Sequence, residues 1–458
     1  MCGILGIYSK QKSSNNAKII IRKLSLLQHR GKDGFGIGYN ITDNNRHTKI
    51  VKHHGLVNLN NEYNINNLTH SCIGHVRYST SGKSKINNKL DYTKTNELQP
   101  LNGVNKQNEL IIMVHNGNIP IIQGRFDSQV ILNLILNSEE NLETTLIWIM
   151  DNIPAAYCLL IIVNDILYVM RDRYGIRPLS YGESNETICV SSETCAIKDY
   201  KNIKDVEPGV ILRIDETGCN ILYKHSKPVN GLCAFELLYF MNPNSYININ
   251  NNNIKIELIR QTLGETLAKK ELLFNANENT DMNDYIVVGI PNSGLIYAKA
   301  YAQYVGIEYI QVIEKVDNCV NGEDRTFILI NNEERQKACR KKFKYNVDGI
   351  KNKKLIIIDD TIVRGNVISN IIESCKNCGA SEIHIRIPSP PILDKCQLGI
   401  AIHSKEELIM NNITVNEVKT KLGVNSLMYL SIDDLTMFPK DSYMEVFGCG
   451  IAPEILLL

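Results

Sequence analysis

The sequence has a single tryptophan, a net charge close to zero and no apolar run of membrane-spanning length. Fifty Lys and Arg against 49 Asp and Glu leave a formal net charge of +1. Such a chain has no global field to draw nucleic acid or an anionic membrane surface. A membrane span needs about 18 or more consecutive apolar residues. The most apolar stretch, "LLIIVNDILYVM" (159–170), is broken by Asn164 and Asp165 and reads as two strands of a hairpin. The start of the chain has no basic, apolar and small-residue presequence. The 13 cysteines lack a disulfide-framework spacing, in a chain far too large to need such staples. Together these absences predict a cytoplasmic protein. The one Cys-x-x-Cys, Cys375 and Cys378, sits in a helical pattern without a second pair and reads as packing rather than as a metal site. The basic stretches 335–346 and 351–354 read as a solvated face, with the rim of an anionic-substrate site as the alternative.

What the chain does contain is two textures. At about 100–200 residues per domain, 458 residues predict two or three domains. The first half alternates short apolar runs with Gly, Asn and Pro, which predicts many strands, with helices near 16–29, 127–138 and 141–151. Residues 242–256, "NPNSYININNNNIKI", are Asn-rich and read as a loop after a domain junction. Beyond them strands alternate with helices: a helix over 256–272, a strand at 285–290, a helix after Gly294, a strand at 355–360, a helix over 366–378 and a strand at 382–388. That alternation predicts a doubly wound parallel sheet.

"LIIIDDTIVRGNV" (355–367) is the most specific local signal. A continuous aliphatic run suits a strand buried on both faces. It ends in Asp359 and Asp360, then a loop with Gly365, then a helix. Loop N–H groups and a helix N-terminus make a phosphate site at the carboxyl end of a parallel strand. Two carboxylates just before such a loop suit sugar hydroxyls and a magnesium ion. At the other end of the chain, Cys2 follows only Met1. Once Met1 is removed, one residue carries both a thiol and an amine, a compact nucleophile–base pair. Taken alone, Arg77 reads as a salt-bridge arginine, Asp127 as a helix cap and Asn116-Gly117 as a type I′ hairpin turn.

These motifs resemble two known families. The stretch 355–367 resembles the phosphoribosyl pyrophosphate (PRPP) loop of type I phosphoribosyltransferases, and "VVGIPNSGLIYAKAYA" (287–302) supports it. The resemblance implies that Asp359 and Asp360 face the ribose hydroxyls and Mg2+, with Ser293 also at the metal. It implies that Thr361, Val363, Arg364, Gly365, Asn366 and Val367 wrap the 5-phosphate. Relatives carry two threonines where this chain has Asn366 and Val367. "EDRTFI" (323–328) is similar to the end of a flexible lid, which adds Arg325, Thr326 and Lys315 to the PRPP-binding set. The segments "CGILGI", "LLQHRGKDGFGI", "GHVRYSTSG", "VHNGNI", "RDRYGIRPL" and "SSETCA" follow, in order, the class II glutamine amidotransferase domain, an N-terminal-nucleophile hydrolase. That resemblance implies Cys2 as nucleophile, with Asn116 and Gly117 as oxyanion donors. Arg77 then holds the glutamine carboxylate and Asp127 the ammonium, while His29 and His75 are structural.

The combination, with "CAFELLYFMNPNS" (233–245) at the junction, resembles the amidophosphoribosyltransferases. It implies an αββα sandwich over residues 2–230, a type I phosphoribosyltransferase domain over 231–430 and a tail at 431–458 packing on both. It implies transfer of glutamine-derived ammonia to PRPP, in the committed step of purine synthesis. Purine nucleotides are the expected inhibitors, and a homotetramer or homodimer the expected assembly. No nucleic-acid or membrane partner is expected. A subclass carries an iron–sulfur cluster on four cysteines. Here Cys233 and Cys396 match two positions, but only Cys449 follows, so no cluster is expected. The alternative reading is a catalytically impaired relative with a regulatory or nucleotide-binding role, motivated by Asn242, Asn244, Asn292, Asn366 and Val367.

Overall fold

The structure is a computed structural model describing residues 1–41, 46–78, 85–86, 89–90, 97–119, 126–275, 284–316, 343–442 and 444–447. Two antiparallel sheets dominate the first half. The first runs β13 (Lys201–Asp205), β11 (Ser180–Glu183), β12 (Thr187–Ser191), β1 (Gly3–Ser13), β4 (Thr69–Arg77), β2 (Gly34–Ile41), β3 (His47–His54). The second runs β15 (Gly218–Lys224), β14 (Val210–Asp215), β10 (Ile166–Arg171), β9 (Ala156–Val163), β8 (Leu110–Asn118), β7 (Leu101–Val104). Among the described residues there are also three two-stranded pairs: β5 (Lys85–Ile86) with β6 (Lys89–Leu90), β16 (Tyr246–Ile249) with β17 (Asn252–Lys255), and β20 (Ile313–Lys315) with β21 (Phe343–Tyr345).

Strand periodicity sorts the side chains into layers. Ile4 and Tyr8 of β1 pack with Val114 of β8 and Leu160 of β9, forming the core between the sheets. Leu5 and Ile7 point the other way, onto Ile20 and Leu24 of helix α1 (Asn16–Leu26). On the far side, Ile111 and Met113 meet α2 (Asp127–Asn137) and α3 (Leu142–Asn152). The layer order is therefore αββα, and the three helices fall where the periodicity placed them. The 159–170 hairpin also forms, turning at Asn164 (φ 46°) and Asp165 (φ 68°), the two left-handed residues of a type I′ turn.

The 242–256 segment corrects the sequence reading. It is not a plain loop: Tyr246–Ile249 and Asn252–Lys255 pair as a hairpin around Asn250 (φ 51°) and Asn251 (φ 64°). Ile247 and Ile249 are buried in the core that α4 (Ile256–Asn275) also enters. Beyond it lies a wholly parallel sheet ordered β19 (Glu308–Tyr309), β18 (Tyr285–Gly289), β22 (Lys354–Ile358), β23 (Glu382–Ile387), β24 (Ser426–Tyr429). Both faces are covered. Val287, Ile356 and Ile358 pack on α4 and α5 (Leu295–Val305), while Leu355 and Ile357 pack on the helix Asn366–Asn377. Cys375 is a buried member of that second core, as the packing reading of its motif expected. No described helix is long and apolar enough to cross a membrane.

Candidate active site

At the end of β22 the chain places two buried carboxylates, Asp359 and Asp360. Ser293, from the turn after β18, donates to Asp359 Oδ1 at 3.0 Å, and Thr361 Oγ1 donates to Asp360 Oδ2 at 2.8 Å. Burial pushes the Asp359 carboxyl well above the usual carboxylate range, and the neighbouring Asp360 pushes it the same way. Gly365 then takes φ +81° and precedes the helix Asn366–Asn377. That left-handed backbone favours glycine, and a Cβ there would in addition push on the Ile409 side-chain tip, 2.4 Å away. Gly294 is tied to the strand end in the same way: a Cβ would meet the Ile358 carbonyl oxygen at 2.1 Å. Arg364 lies on the loop, but its guanidinium is held by Glu407 (Nε to Oε2, 2.7 Å) and the Ala401 carbonyl (2.9 Å).

The oxygens at this strand end fit magnesium. Mg2+ is commonly held by one or two carboxylates together with substrate phosphates. Two buried carboxylates beside a hydroxyl are hard oxygen donors of that kind. Among the described residues no cluster of three or more His, Cys, Asp or Glu could hold a metal by itself.

At the amino end, Cys2 precedes β1, whose Gly3 is paired with Val76 of β4. The Tyr78 N–H points at Cys2 Sγ (3.5 Å), and Arg30 Nε donates to the Cys2 carbonyl at 2.9 Å. Arg30 is fully buried and paired with two buried acids, Glu193 (2.6 Å) and Glu236 (2.8 Å). Glu193 also accepts from His29, the Asn242 N–H and the Ser245 hydroxyl. Burial works against its charge, but His29 and Arg30 hold the carboxyl far below the ordinary range. Glu236 reaches Arg177 at 3.5 Å, and Arg177 donates to the Leu398 carbonyl of the second half.

Asn116 and Gly117 lie within β8, opposite Cys158 and Tyr157, rather than in a hairpin turn. The Asn116 Nδ2 is buried with no hydrogen-bond partner among the described residues, which fits a donor kept for a ligand oxygen. His75 is buried, and burial and the Arg77 charge drive its pKa well below the ordinary value, so it is a neutral imidazole. Arg77 is ion-paired with Glu97 at 2.6 Å. Asp127, first residue of α2, accepts from the N–H groups of Ser128 (2.8 Å) and Ile119 (3.3 Å).

A cavity of about 330 Å3 is lined by residues around the amino end and by the phosphate-loop strand end. Met1, His29, Arg30 and Tyr78 line it from the amino side. Ser293, Lys315 and Asp359 through Val367 line it from the parallel sheet. Phe235, Tyr239 and Phe240 of the junction also line it. Cys2, Arg77, Asn116, Gly117 and Asp127 are not among its lining residues, and Arg325 and Thr326 lie outside the described residues. Cys233 and Cys396 are both buried, while Cys449 lies outside the described residues. Sequence reasoning gave no role to Arg30, Arg177, Glu193 and Glu236, although all four sit inside the motifs it matched.

The phosphoribosyl transferase domain model matches residues 259–388. An amidophosphoribosyltransferase of Methanocaldococcus jannaschii is 33% identical, over 95% of this chain and 93% of that protein. The Bacillus subtilis amidophosphoribosyltransferase is 30% identical, over 95% and 88%. Among solved structures, the B. subtilis glutamine PRPP amidotransferase complexed with ADP and GMP matches with a TM-score of 0.77 at 30% identity, covering 95% of this chain and 92% of that one. Coverage of 95% of the chain takes these matches through both halves. The chain belongs to the amidophosphoribosyltransferase family.

Proposed function

We propose that the chain hydrolyses glutamine at Cys2 and passes the ammonia to C1 of PRPP, releasing pyrophosphate and forming 5-phosphoribosylamine, the first committed step of purine synthesis. The observation that carries this reading is a cavity lined at one side by Met1 and Tyr78, the neighbours of Cys2, and at the other by the Asp359–Val367 loop. Removal of Met1, which lines that cavity, frees the Cys2 amine. The thiol attacks the glutamine amide carbon while the α-amine takes its proton. Asn116 Nδ2 and the Gly117 N–H receive the oxyanion, Arg77 the carboxylate and Asp127 the ammonium. For Arg77 this requires exchanging Glu97 for the substrate carboxylate. Ammonia departs on the proton from the amine, and water hydrolyses the thioester to glutamate.

At the other end, Asp359 and Asp360 orient the ribose hydroxyls and, with Ser293, hold Mg2+. That ion supplies charge neutralisation for the departing pyrophosphate. The backbone of Thr361–Val367 cradles the 5-phosphate, and Lys315, Arg325 and Thr326 complete the PRPP-binding set. We assign glutamine hydrolysis to residues 2–230, phosphoribosyl transfer to 231–430, and a packing role to 431–458. The working form is a cytoplasmic homodimer or homotetramer, inhibited by purine nucleotides and without an iron–sulfur cluster.

The test is direct. Purified protein releases glutamate from glutamine, and more of it when PRPP and Mg2+ are supplied. Cys2→Ala abolishes glutamine-dependent synthesis but retains ammonia-dependent synthesis. Wild type that makes pyrophosphate from neither nitrogen donor would sink this reading in favour of an impaired relative.

A further inference from the structure

The glutamine site has a support that none of its assigned residues explains. β7 pairs with β8 in a register that sets Leu101 opposite Met113, so continuing it places Gln99 opposite His115. The main-chain ladder stops at Leu101, and the Gln99 side chain takes over. Its Oε1 accepts from the His115 N–H at 2.6 Å, and its Nε2 donates to the His115 carbonyl at 3.2 Å. A carboxamide thus stands in for a strand peptide immediately before Asn116 and Gly117. Only one orientation of the amide satisfies both bonds.

The same Nε2 also donates to Ser128 Oγ at 3.1 Å, and that oxygen lies 2.8 Å from His115 Nδ1. The Ser128 hydroxyl proton has a partner if it is given to Nδ1, which leaves the proton of the neutral imidazole on Nε2. Gln99, His115 and Ser128 are all buried. The His115 ring lies against Gly117: a Cβ on Gly117 would stand 2.6 Å from Nε2 and 2.0 Å from the Ala156 carbonyl oxygen. At the other end of the network, the Ser128 N–H is bonded to Asp127 Oδ1. Three side chains therefore lock the strand bearing the oxyanion donors to the helix bearing Asp127.

We propose that Gln99 and Ser128 are positioning residues of the glutamine half-reaction, acting through His115 on the Asn116–Gly117 peptide and on Asp127. The proposal rests on the reading of Cys2 as the glutamine nucleophile. Oxyanion donors act only when aimed at the developing charge, so a loosened peptide lowers turnover more than substrate binding. Ser128, next to Asp127, governs binding instead.

The experiment measures glutamine-dependent and ammonia-dependent synthesis, each with PRPP and Mg2+, in the full chain. Gln99→Met is expected to lower the glutamine kcat about 10- to 100-fold with little change in KM. Ser128→Ala is expected to raise the glutamine KM, and it keeps the proposal testable if Gln99→Met does not fold. Both leave the ammonia-dependent rate within about twofold of wild type. In an Asn116→Ala background, Gln99→Met is expected to cost clearly less than it does alone, because only the Gly117 N–H is left for it to aim. Equal losses with ammonia and glutamine, or losses that multiply with Asn116→Ala, would overturn the proposal. A wild type that uses ammonia but releases no glutamate would remove the Cys2 reading itself, a result distinct from either.

Discussion

Replacing Glu236 by glutamine keeps the shape of a fully buried side chain and removes its charge. In the native arrangement two buried anions, Glu193 and Glu236, face two buried cations, Arg30 and Arg177. Arg30 would keep Glu193, but Arg177 would lose its Glu236 partner and retain the Leu398 carbonyl. The new amide N–H2 would also face guanidinium donors where a carboxylate oxygen had accepted. Breaking a buried pair by removing one partner typically costs about 3–5 kcal/mol, because a charge is left uncompensated. At roughly 2–4 °C per kcal/mol for a unit of 150–250 residues, melting should fall by about 6–20 °C.

Calorimetry on wild type, Glu236→Gln and a control measures this. The control is Glu207→Gln, which breaks the exposed Lys224–Glu207 pair (side chains 52% and 63% exposed) and should shift melting by about 4 °C or less. Pairing Glu236→Gln with Arg177→Met should recover part of the loss, since the residual buried charge is then balanced. If Glu236→Gln melts within the control's range, the four groups are not a coupled charge cluster and the argument fails.

Glu193→Gln gives the pH counterpart. Because Glu193 is held far below its ordinary pKa, its stabilisation is complete above the unfolded-state value near ~4.3 and is lost progressively as pH falls from there towards the folded value. The melting gap between wild type and variant should thus be widest at neutral pH and close only on strong acidification. A gap constant from pH 3 to 8 would refute it. Asp359→Asn removes one of two adjacent buried carboxylates while retaining an acceptor for Ser293, so at pH 8 without ligands it should stabilise the chain by about 0.5–2 kcal/mol. The same variant should lose the melting increase that PRPP with Mg2+ gives wild type, as read by thermal shift.

The chemistry-bearing ends of the site were legible because each is written in a few consecutive residues. An aliphatic strand, two acids, a glycine and a helix need only local order to make a phosphate loop. Cys2 needs only its place in the chain. The Arg30–Glu236 pair is different, joining residues 206 positions apart, so no window of sequence contains it. Gln99 was hidden for a related reason, since nothing in "ELQP" says that a side chain will finish a ladder. The 242–256 hairpin was misread because composition outweighed pattern. Its alternation of Tyr246, Ile247, Asn248 and Ile249 and its Asn250-Asn251 turn were the period-2 and left-handed signals that mark a hairpin.

On the proposed reading, the side chains of Asn366 and Val367 bear on PRPP binding rather than on chemistry. Thr361 Oγ1 already spends its proton on Asp360, so what the loop offers an incoming phosphate is chiefly its main chain. The first turn of the helix Asn366–Asn377 supplies N–H groups whatever side chains stand at its first two positions. Asn366 keeps an amide donor in place of one hydroxyl, whereas Val367 has none and packs against the neighbouring apolar core. Restoring a hydroxyl with Val367→Thr should therefore lower the KM for PRPP by several-fold, on the order of one hydrogen bond to a charged group, and leave kcat unchanged. A rise in kcat at constant KM would place position 367 in the transition state and show that this loop does more than hold the phosphate.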